Sequence, residues 1–162
     1  MQFSRTSQQY SRDDFKAIAE HVDYVTIMTY DFFMRTGEPS ATAPLPWVTG
    51  NIEFITPDGD PNRKKILVGL NFYGYKFENG KHPEPILSRD YIEMLKTYKP
   101  KIQWDSYGHE NFVTFKKNNN PTKVYYPSLR SIKDKIFEVS KFKSGFAIWE
   151  IGQGHRIFAE LF

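Results

Sequence analysis

The sequence predicts an α/β fold built around a parallel sheet. Three apolar runs, at residues 24–30, 66–70 and 145–151, are too short for helices and too uniformly apolar for strands with one solvated face. Amphipathic segments with helical spacing separate these runs, as helical crossovers between parallel strands require. With 162 residues, 40% of them hydrophobic and 17% aromatic, the chain can bury the core of one domain.

Composition excludes several classes of function. The formal net charge of +3 arises from 22 Lys and Arg set among 19 Asp and Glu without a polybasic run, so we expect no nucleic-acid partner. The chain has no cysteine, and its four histidines are scattered, so we expect no metal and no cofactor. The first 15 residues lack an apolar signal-peptide core, and no apolar run reaches the roughly 18 residues of a membrane span. We therefore expect neither an export signal nor a membrane span in this chain.

The first helix and the first strand follow each other directly. Phe15, Ile18, Ala19 and Val22 have the spacing of one helical face, and the serine and aspartate of "SRDD" can form a capping box. The run at 24–30 is then predicted to be a strand buried on both faces. A loop rich in Gly, Pro, Ser and Thr follows at 32–47.

The next two elements repeat this order. Pro46 suits the first turn of a helix that carries Val48, Ile52 and Ile55 on one face and ends before Pro57. Residues 64–75 are then predicted to form a second buried strand, with its apolar part at 66–70.

The last third of the chain contains an excursion between helices. Ser88 can cap a helix with Tyr91, Leu95 and Tyr98 on one face. Residues 101–126 are typical of aromatic hairpin strands, with "NNNP" at the tip. A helix whose apolar face starts at Leu129 and a third buried strand at 145–151 complete the pattern.

All three strands end in side chains that form hydrogen bonds or present aromatic rings. Since the carboxyl ends of parallel strands face the ligand crevice, these side chains are candidates for binding. Aromatic rings beside carboxylates and phenols suit a sugar, which stacks through its ring face and hydrogen-bonds through its hydroxyls. The candidates are Thr29, Tyr30, Asp31, Asn71, Tyr73, Tyr75, Trp149 and Glu150.

Four segments resemble a known family. "VTIMTYDF", "ILVGLNFYGY", "VYYPSLRSIKDK" and "GFAIWEIGQG" resemble strand six, strand seven, an insertion-to-helix junction and strand eight of glycoside hydrolase family 18. The likeness is greatest to its chitinase domain-containing, chitinase-like branch. This family has a TIM barrel, and a whole barrel needs about 250 residues. The resemblance thus implies that residues 1–162 form the C-terminal half of a TIM (β/α)8 barrel, strands six to eight, with a small α+β insertion at about 76–126.

The resemblance also implies a substrate-binding site. Tyr30 and Asp31 match the segment that positions the N-acetyl group of the substrate, Trp149 matches the aromatic floor, and Met28 matches an apolar neighbour of the site. Asn71 and Tyr73, at the end of the second strand, complete the predicted set. The expected ligand is an oligosaccharide containing N-acetylglucosamine.

Catalysis is not expected from this chain. The family uses the acetamide oxygen of the substrate as nucleophile and a Glu from a D-x-x-D-x-D-x-E motif on strand four, and that motif is absent here. Active members carry an Asp a few positions after the last Trp, whereas here Glu150 follows Trp149 directly; we expect Glu150 to pair with a Lys or Arg. Two alternatives stay open: a fragment of an active glycosidase whose catalytic Glu lies in a missing N-terminal half, and a receptor-binding or glycolipid-binding protein with a vestigial groove.

Further expectations concern location and association. Relatives implied by the resemblance are secreted or lysosomal. Unpaired edges of the strands at 24–30 and 145–151 predict self-association. A protein receptor is a further expected partner.

Overall fold

The computed structural model describes residues 11–162; the expectation about the N-terminal signal falls partly on residues 1–10, outside the described part. The chain forms a mixed α/β fold. Its elements in chain order are α1 (Arg12–Ala19), β1 (Val25–Ile27), α2 (Phe33–Thr36), α3 (Leu45–Ile55), β2 (Ile66–Asn71), β3 (Gly74–Glu78), β4 (Glu84–Ile86), α4 (Ser88–Tyr98), β5 (Gln103–Asp105), β6 (Glu110–Lys117), β7 (Asn120–Tyr126), α5 (Leu129–Ser140) and β8 (Gly145–Trp149). Short 3₁₀ helices occur at Pro61–Lys65, Ile151–Gln153 and Arg156–Leu161.

The predicted parallel sheet is present. It has three strands in the order β1-β2-β8. β1 pairs with β2 from Val25 opposite Ile66, and β2 pairs with β8 up to Asn71 opposite Trp149, both in parallel. All three strands therefore end at the same edge of the sheet.

Other elements of the fold cover the two faces of this sheet to different extents. Paired residues share a face, so Val25, Ile27 and Val68 lie on one side, where α1 and α3 contribute to their buried core. We call the other side the open face, because Thr26 and Trp149 there are exposed. By register the open face carries Thr26, Met28, Leu67, Gly69, Asn71, Gly145, Ala147 and Trp149.

The prediction that the first and third strands are buried on both faces is wrong. Thr26 is exposed within β1, and no residue of β8 is fully buried. β1 is also shorter than the predicted 24–30. Beyond Ile27, the side-chain hydroxyl of Thr29, in place of a backbone N–H, donates a hydrogen bond of 2.9 Å to the carbonyl oxygen of Gly69.

A second sheet lies between β2 and α5 in the chain. It is antiparallel, with five strands in the order β4-β3-β7-β6-β5. The tip of its longest hairpin is at Asn118 and Asn119, within the predicted "NNNP" turn, and both residues have positive φ (50° and 63°). Two-residue hairpin turns of this kind favour asparagine, which tolerates the left-handed region. The sheet packs against α4, where Tyr91 stacks on Tyr126 with ring centroids 4.3 Å apart.

A buried ion pair connects the second sheet to the rest of the fold. Glu110 of β6 lies 3.5 Å from the ammonium of Lys135 on α5 and accepts the backbone N–H of Thr42 at 2.9 Å. Burial lowers the pKa of Lys135, and the charge of Glu110 opposes that change. The pair fixes the loop after α2 against the second sheet.

Helix ends follow local sequence. The capping box of Ser11 and Asp14 is confirmed, and α5 begins at a similar box of Ser128 and Ser131. Two details differ: α1 ends before Val22, which is exposed, and Ser88 is the first residue of α4 rather than its cap. Within residues 11–162, no helix is long and apolar enough to cross a membrane.

Candidate functional site

The candidate site lies where the three parallel strands end. Asp31 follows β1, Tyr73 follows β2, and Trp149 ends β8 opposite Asn71. Tyr30 joins them because Gly69 leaves room: a Cβ at Gly69 would lie 2.8 Å from Cε1 of Tyr30. The predicted site residues thus come together at one edge of the sheet.

A hydrogen bond joins the ends of the first two strands. The hydroxyl of Tyr73 donates to Oδ1 of Asp31 at 2.5 Å, and the rings of Tyr30 and Tyr73 meet edge to face with centroids 6.1 Å apart. Asp31 adopts a left-handed backbone (φ 64°), which aspartate tolerates better than most residues. Tyr75 packs on Tyr73 with ring centroids 5.7 Å apart and completes what we call the tyrosine cluster: Tyr30, Asp31, Tyr73 and Tyr75.

The three phenols of the cluster stay protonated at neutral pH. Burial, followed by the hydrogen bond to Asp31, raises the pKa of Tyr73. Burial and then the charge of Asp31 raise the pKa of Tyr75 to about 12, and the same two causes raise the pKa of Tyr30. Each phenol therefore keeps a proton that it can donate.

Asn71 supports the backbone of the site. It is 2% exposed, and its side-chain amide donates to the carbonyl oxygen of Tyr73 at 2.8 Å. The backbone N–H of Phe72 donates to the carbonyl oxygen of Trp149 at 2.8 Å. These bonds hold the chain after β2 against the end of β8.

Two apolar side chains of the site are open to solvent. Met28 is 42% exposed and Trp149 is 57% exposed, and both lie on the open face. An exposed indole beside buried hydrogen-bonding groups is unusual for a core residue and suits contact with a ligand.

Sequence reasoning named Tyr75 as a candidate but missed Phe33, a neighbour of the cluster. Phe33 packs on Tyr75 with ring centroids 4.4 Å apart. It is the first residue of α2, a short helix within the segment predicted as a loop, where the sequence shows no periodic pattern.

The expectation about Glu150 is wrong. Glu150 is exposed, follows a cis peptide bond with Trp149, and has no ion pair within 4.0 Å among residues 11–162.

Other polar and aromatic side chains pair outside the site. Nδ1 of His109 lies 2.9 Å from a carboxylate oxygen of Asp134. Trp104 packs under the guanidinium of Arg130, which lies 3.9 Å from the ring centroid. Nowhere in the described part of the chain do three potential metal ligands cluster.

The side chains of this site can form hydrogen bonds and stack on a ring. A carboxylate can accept about four hydrogen bonds, and Tyr73 donates one of them, so Asp31 has spare capacity. Asp31 has no Lys, Arg or His partner within 4.0 Å in the range 11–162, so no ion pair neutralises it. Phenols, one carboxylate and an exposed indole together match the directional hydrogen bonds and stacking that a sugar requires.

Comparison with known proteins identifies the family of the chain. Glycosyl hydrolases family 18 matches residues 2–154 of the chain. The cortical fragment-lytic enzyme of Bacillus anthracis is 29% identical over 165 aligned residues, which cover 94% of this chain and 38% of the enzyme. The spore cortex-lytic enzyme SleL of Bacillus megaterium QM B1551 has 26% identity and a TM-score of 0.83, covering 99% of this chain and 39% of that one.

A more distant structure has the same fold. A chitinase from Chromobacterium violaceum superimposes with a TM-score of 0.79 at 21% identity, covering 90% of this chain and 46% of the chitinase. The chain spans about two fifths of the length of the curated relatives that it matches. Because the family match extends over almost all of its residues, this chain belongs to glycosyl hydrolases family 18.

Proposed function

We propose that the chain binds an oligosaccharide containing N-acetylglucosamine at the tyrosine cluster, with Trp149 beneath a sugar ring, and that it does so without catalysis. The observation that carries this proposal is the hydrogen bond from Tyr73 to Asp31 at the strand edge where Trp149 is exposed. The spare acceptor capacity of Asp31 suits the N–H of an acetamido group, and Met28 and Trp149 offer apolar surface for the ring and the methyl group.

The same proposal includes the architecture. We take residues 1–162 as strands six to eight of a TIM barrel with an insertion at about 76–126. Support comes from the parallel order β1-β2-β8, from the antiparallel sheet between β2 and α5, and from the open face, which would line the interior of a closed barrel. The share of the relatives that the chain covers also agrees with part of a barrel.

The absence of catalysis is proposed on chemical grounds. The tyrosine cluster contains a single carboxylate, whereas glycosidases generally need two, or one together with an acetamide nucleophile and a well-placed acid. The D-x-x-D-x-D-x-E motif does not occur in the sequence.

A second candidate is that these residues form part of an active glycosidase. The relatives named as lytic enzymes favour this candidate, because the chain covers only 38% of the first of them. An acidic strand motif in a longer gene product, together with cleavage of chitotetraose by that product, would support it. Secretion or lysosomal delivery also stays a proposal, which the location of the longer product in cells would test.

A fluorescence titration with chitotetraose tests the binding proposal. The chain has three tryptophans, so Trp149→Phe leaves two reporters in place. We expect a saturable change in emission for the unsubstituted chain and its loss in Trp149→Phe. The matched control is Trp104→Phe, which removes an indole stacked on Arg130 and should keep the response.

Two outcomes would overturn the proposal. An emission change that survives in Trp149→Phe would place the ligand elsewhere, and a folded chain with no response would exclude binding of this sugar. Release of shorter chito-oligosaccharides during the titration, followed by mass spectrometry, would contradict the proposed absence of catalysis.

A further inference from the structure

An open groove crosses the second sheet beyond the tyrosine cluster. Its volume is about 660 Å³, within the range of small-ligand sites. Phe77 and Lys123, paired on neighbouring strands, form part of its floor, and residues 37–39 of the loop after α2 form one wall. On the other side lie Lys81 and Pro83.

The groove continues from the tyrosine cluster without a break in aromatic contacts. The rings of Tyr75 and Phe77 have centroids 6.3 Å apart, and Phe33 contacts both rings, at 4.4 Å and 5.6 Å. Tyr75 packs on Tyr73 at one end of this row, with ring centroids 5.7 Å apart, and Phe77 lines the groove at the other end. A ligand chain that leaves the cluster past Tyr75 therefore meets the groove next.

Lysines dominate the charge around the groove. Glu78 is buried and accepts ion pairs from Lys76, Lys81 and Lys117 at 3.1, 2.5 and 3.4 Å, and Glu84 pairs with Lys76 at 2.7 Å. Lys116 and Lys123 line the groove without a carboxylate within 4.0 Å in the described part of the chain. Among the residues that line the groove, three lysines against Glu78 leave a net charge of +2. We call this site the lysine groove; its lysines are Lys81, Lys116 and Lys123.

Lys123 is the least exposed of the lysines that line the groove. Its ammonium lies 4.5 Å from the ring centroid of Phe112 and 4.6 Å from that of Tyr125, and the side chain is half-buried. Burial lowers the pKa of Lys123 while the charge of Asp105 opposes the change. An ammonium partly stripped of water and held by rings alone gains more from an incoming anion than a fully solvated one does.

We propose that the lysine groove binds carboxylate groups of an acidic oligosaccharide whose neutral part occupies the tyrosine cluster. This inference rests on the proposed function and adds a substrate class to it. Phe77 and the prolines of the groove contact sugar ring faces, while Lys116 and Lys123 receive the carboxylates. Continuity with the sugar-binding cluster favours a saccharide as the source of the negative charge.

Calorimetric titration with two tetrasaccharides tests the proposal. One is neutral chitotetraose; the other alternates N-acetylglucosamine with N-acetylmuramic acid, so it keeps the acetamido groups and adds carboxylates. We expect about tenfold tighter binding of the acidic tetrasaccharide, equivalent to ~1.4 kcal/mol. That preference should shrink in 0.5 M sodium chloride, because salt screens partly exposed charges.

The variant Lys116→Gln/Lys123→Gln should lose the preference and keep its affinity for chitotetraose. The control Lys101→Gln/Lys133→Gln changes net charge by the same amount at exposed lysines outside the groove and should keep the preference. Urea titration of both variants checks that they fold. If Lys123→Gln disturbs the packing, the single variant Lys116→Gln, at an exposed position, replaces the double variant and should lose part of the preference.

The outcomes separate this inference from the proposed function. Equal affinity of the unsubstituted chain for the two tetrasaccharides, or a preference that survives in the groove variant, would overturn the lysine groove alone. No binding of either tetrasaccharide would overturn both proposals. Binding of only the acidic tetrasaccharide, lost in the groove variant, would retain the anion site and reject the proposed binding of neutral sugar at the cluster.

Discussion

The two faces of the parallel sheet carry different kinds of residue. On the helix-covered face, Ile27, Ile66 and Val68 are almost fully buried in one apolar core. On the open face, Met28 and Trp149 are exposed, and the buried members are a glycine and an asparagine. Residues adjacent in sequence, such as Ile27 and Met28, thus have very different surroundings.

Because of this difference, we expect one face of the sheet to stabilise the fold and the other face to be available for binding. Burial of a branched apolar side chain contributes about 1.5–3 kcal/mol to folding, whereas an exposed methionine contributes little. The side chains of the open face are therefore available for a ligand, and their substitution should leave the fold intact. The predictions below test that separation.

The largest effect is expected for Ile27→Ala against Met28→Ala. Ile27 is 1% exposed, so its truncation leaves a cavity and should lower the free energy of unfolding by about 3 kcal/mol. Met28→Ala should change it by less than ~0.5 kcal/mol. Urea unfolding followed by circular dichroism measures both, and equal losses would show that the open face is covered in solution.

A smaller loss is expected for Asp31→Ala. This variant removes the acceptor of the Tyr73 hydroxyl, and an unsatisfied buried hydroxyl costs about 1–3 kcal/mol. Asp23→Ala, at an exposed position before β1, is the matched control and should be nearly neutral. Unchanged stability in Asp31→Ala would mean that the hydrogen bond between the strand ends does not support the fold.

The elements that the sequence predicted best are those fixed by local chemistry. The apolar face of α5, which starts at Leu129, and the asparagine tip of the long hairpin depend on residues within a few positions of each other. The parallel pairing also followed from the order of strands and crossovers. For the helix and the hairpin tip, the physical cause lies within a short stretch of sequence.

Features that depend on distant residues were harder to predict. The apolar sequence of a strand such as β8 indicates that its burial is favourable, but it does not show whether one or both faces are covered. In this structure only one face is covered. The cluster brings Tyr75 together with Asp31, which lies 44 positions away in the chain, and Phe33 enters the site from α2, a short helix within the segment predicted as a loop. The lysine groove requires the pairing of β3, β6 and β7 before its lysines come together.

At alkaline pH, the free energy of unfolding should depend on the charge of Asp31 within the cluster. An unfolded tyrosine loses its proton near pH 10, whereas folded Tyr75 does so at about 12. Between these values the unfolded state binds fewer protons, so the free energy of unfolding falls as pH rises. In Asp31→Asn the charge that helps to keep the phenols protonated is gone, so this fall should be shallower.

Urea titrations from pH 9 to 11.5 measure the difference, with Asp23→Asn as the control that should follow the unsubstituted chain. A fall of the same slope in Asp31→Asn would show that burial alone raises the pKa values of these tyrosines.

The weakest expected effect concerns self-association of the open face and its edges. Within residues 11–162, β1 and β8 each pair only with β2, so each leaves one edge with unpaired backbone groups. We expect sedimentation equilibrium to show a dimer that forms as concentration rises. Met28→Lys places a charge on the open face near the edge of β1 and should weaken the dimer about tenfold, or ~1.4 kcal/mol. The control Met34→Lys, on exposed α2, should leave the dimerisation constant unchanged. A chain that sediments as a monomer at every concentration would show that solvent alone covers the open face.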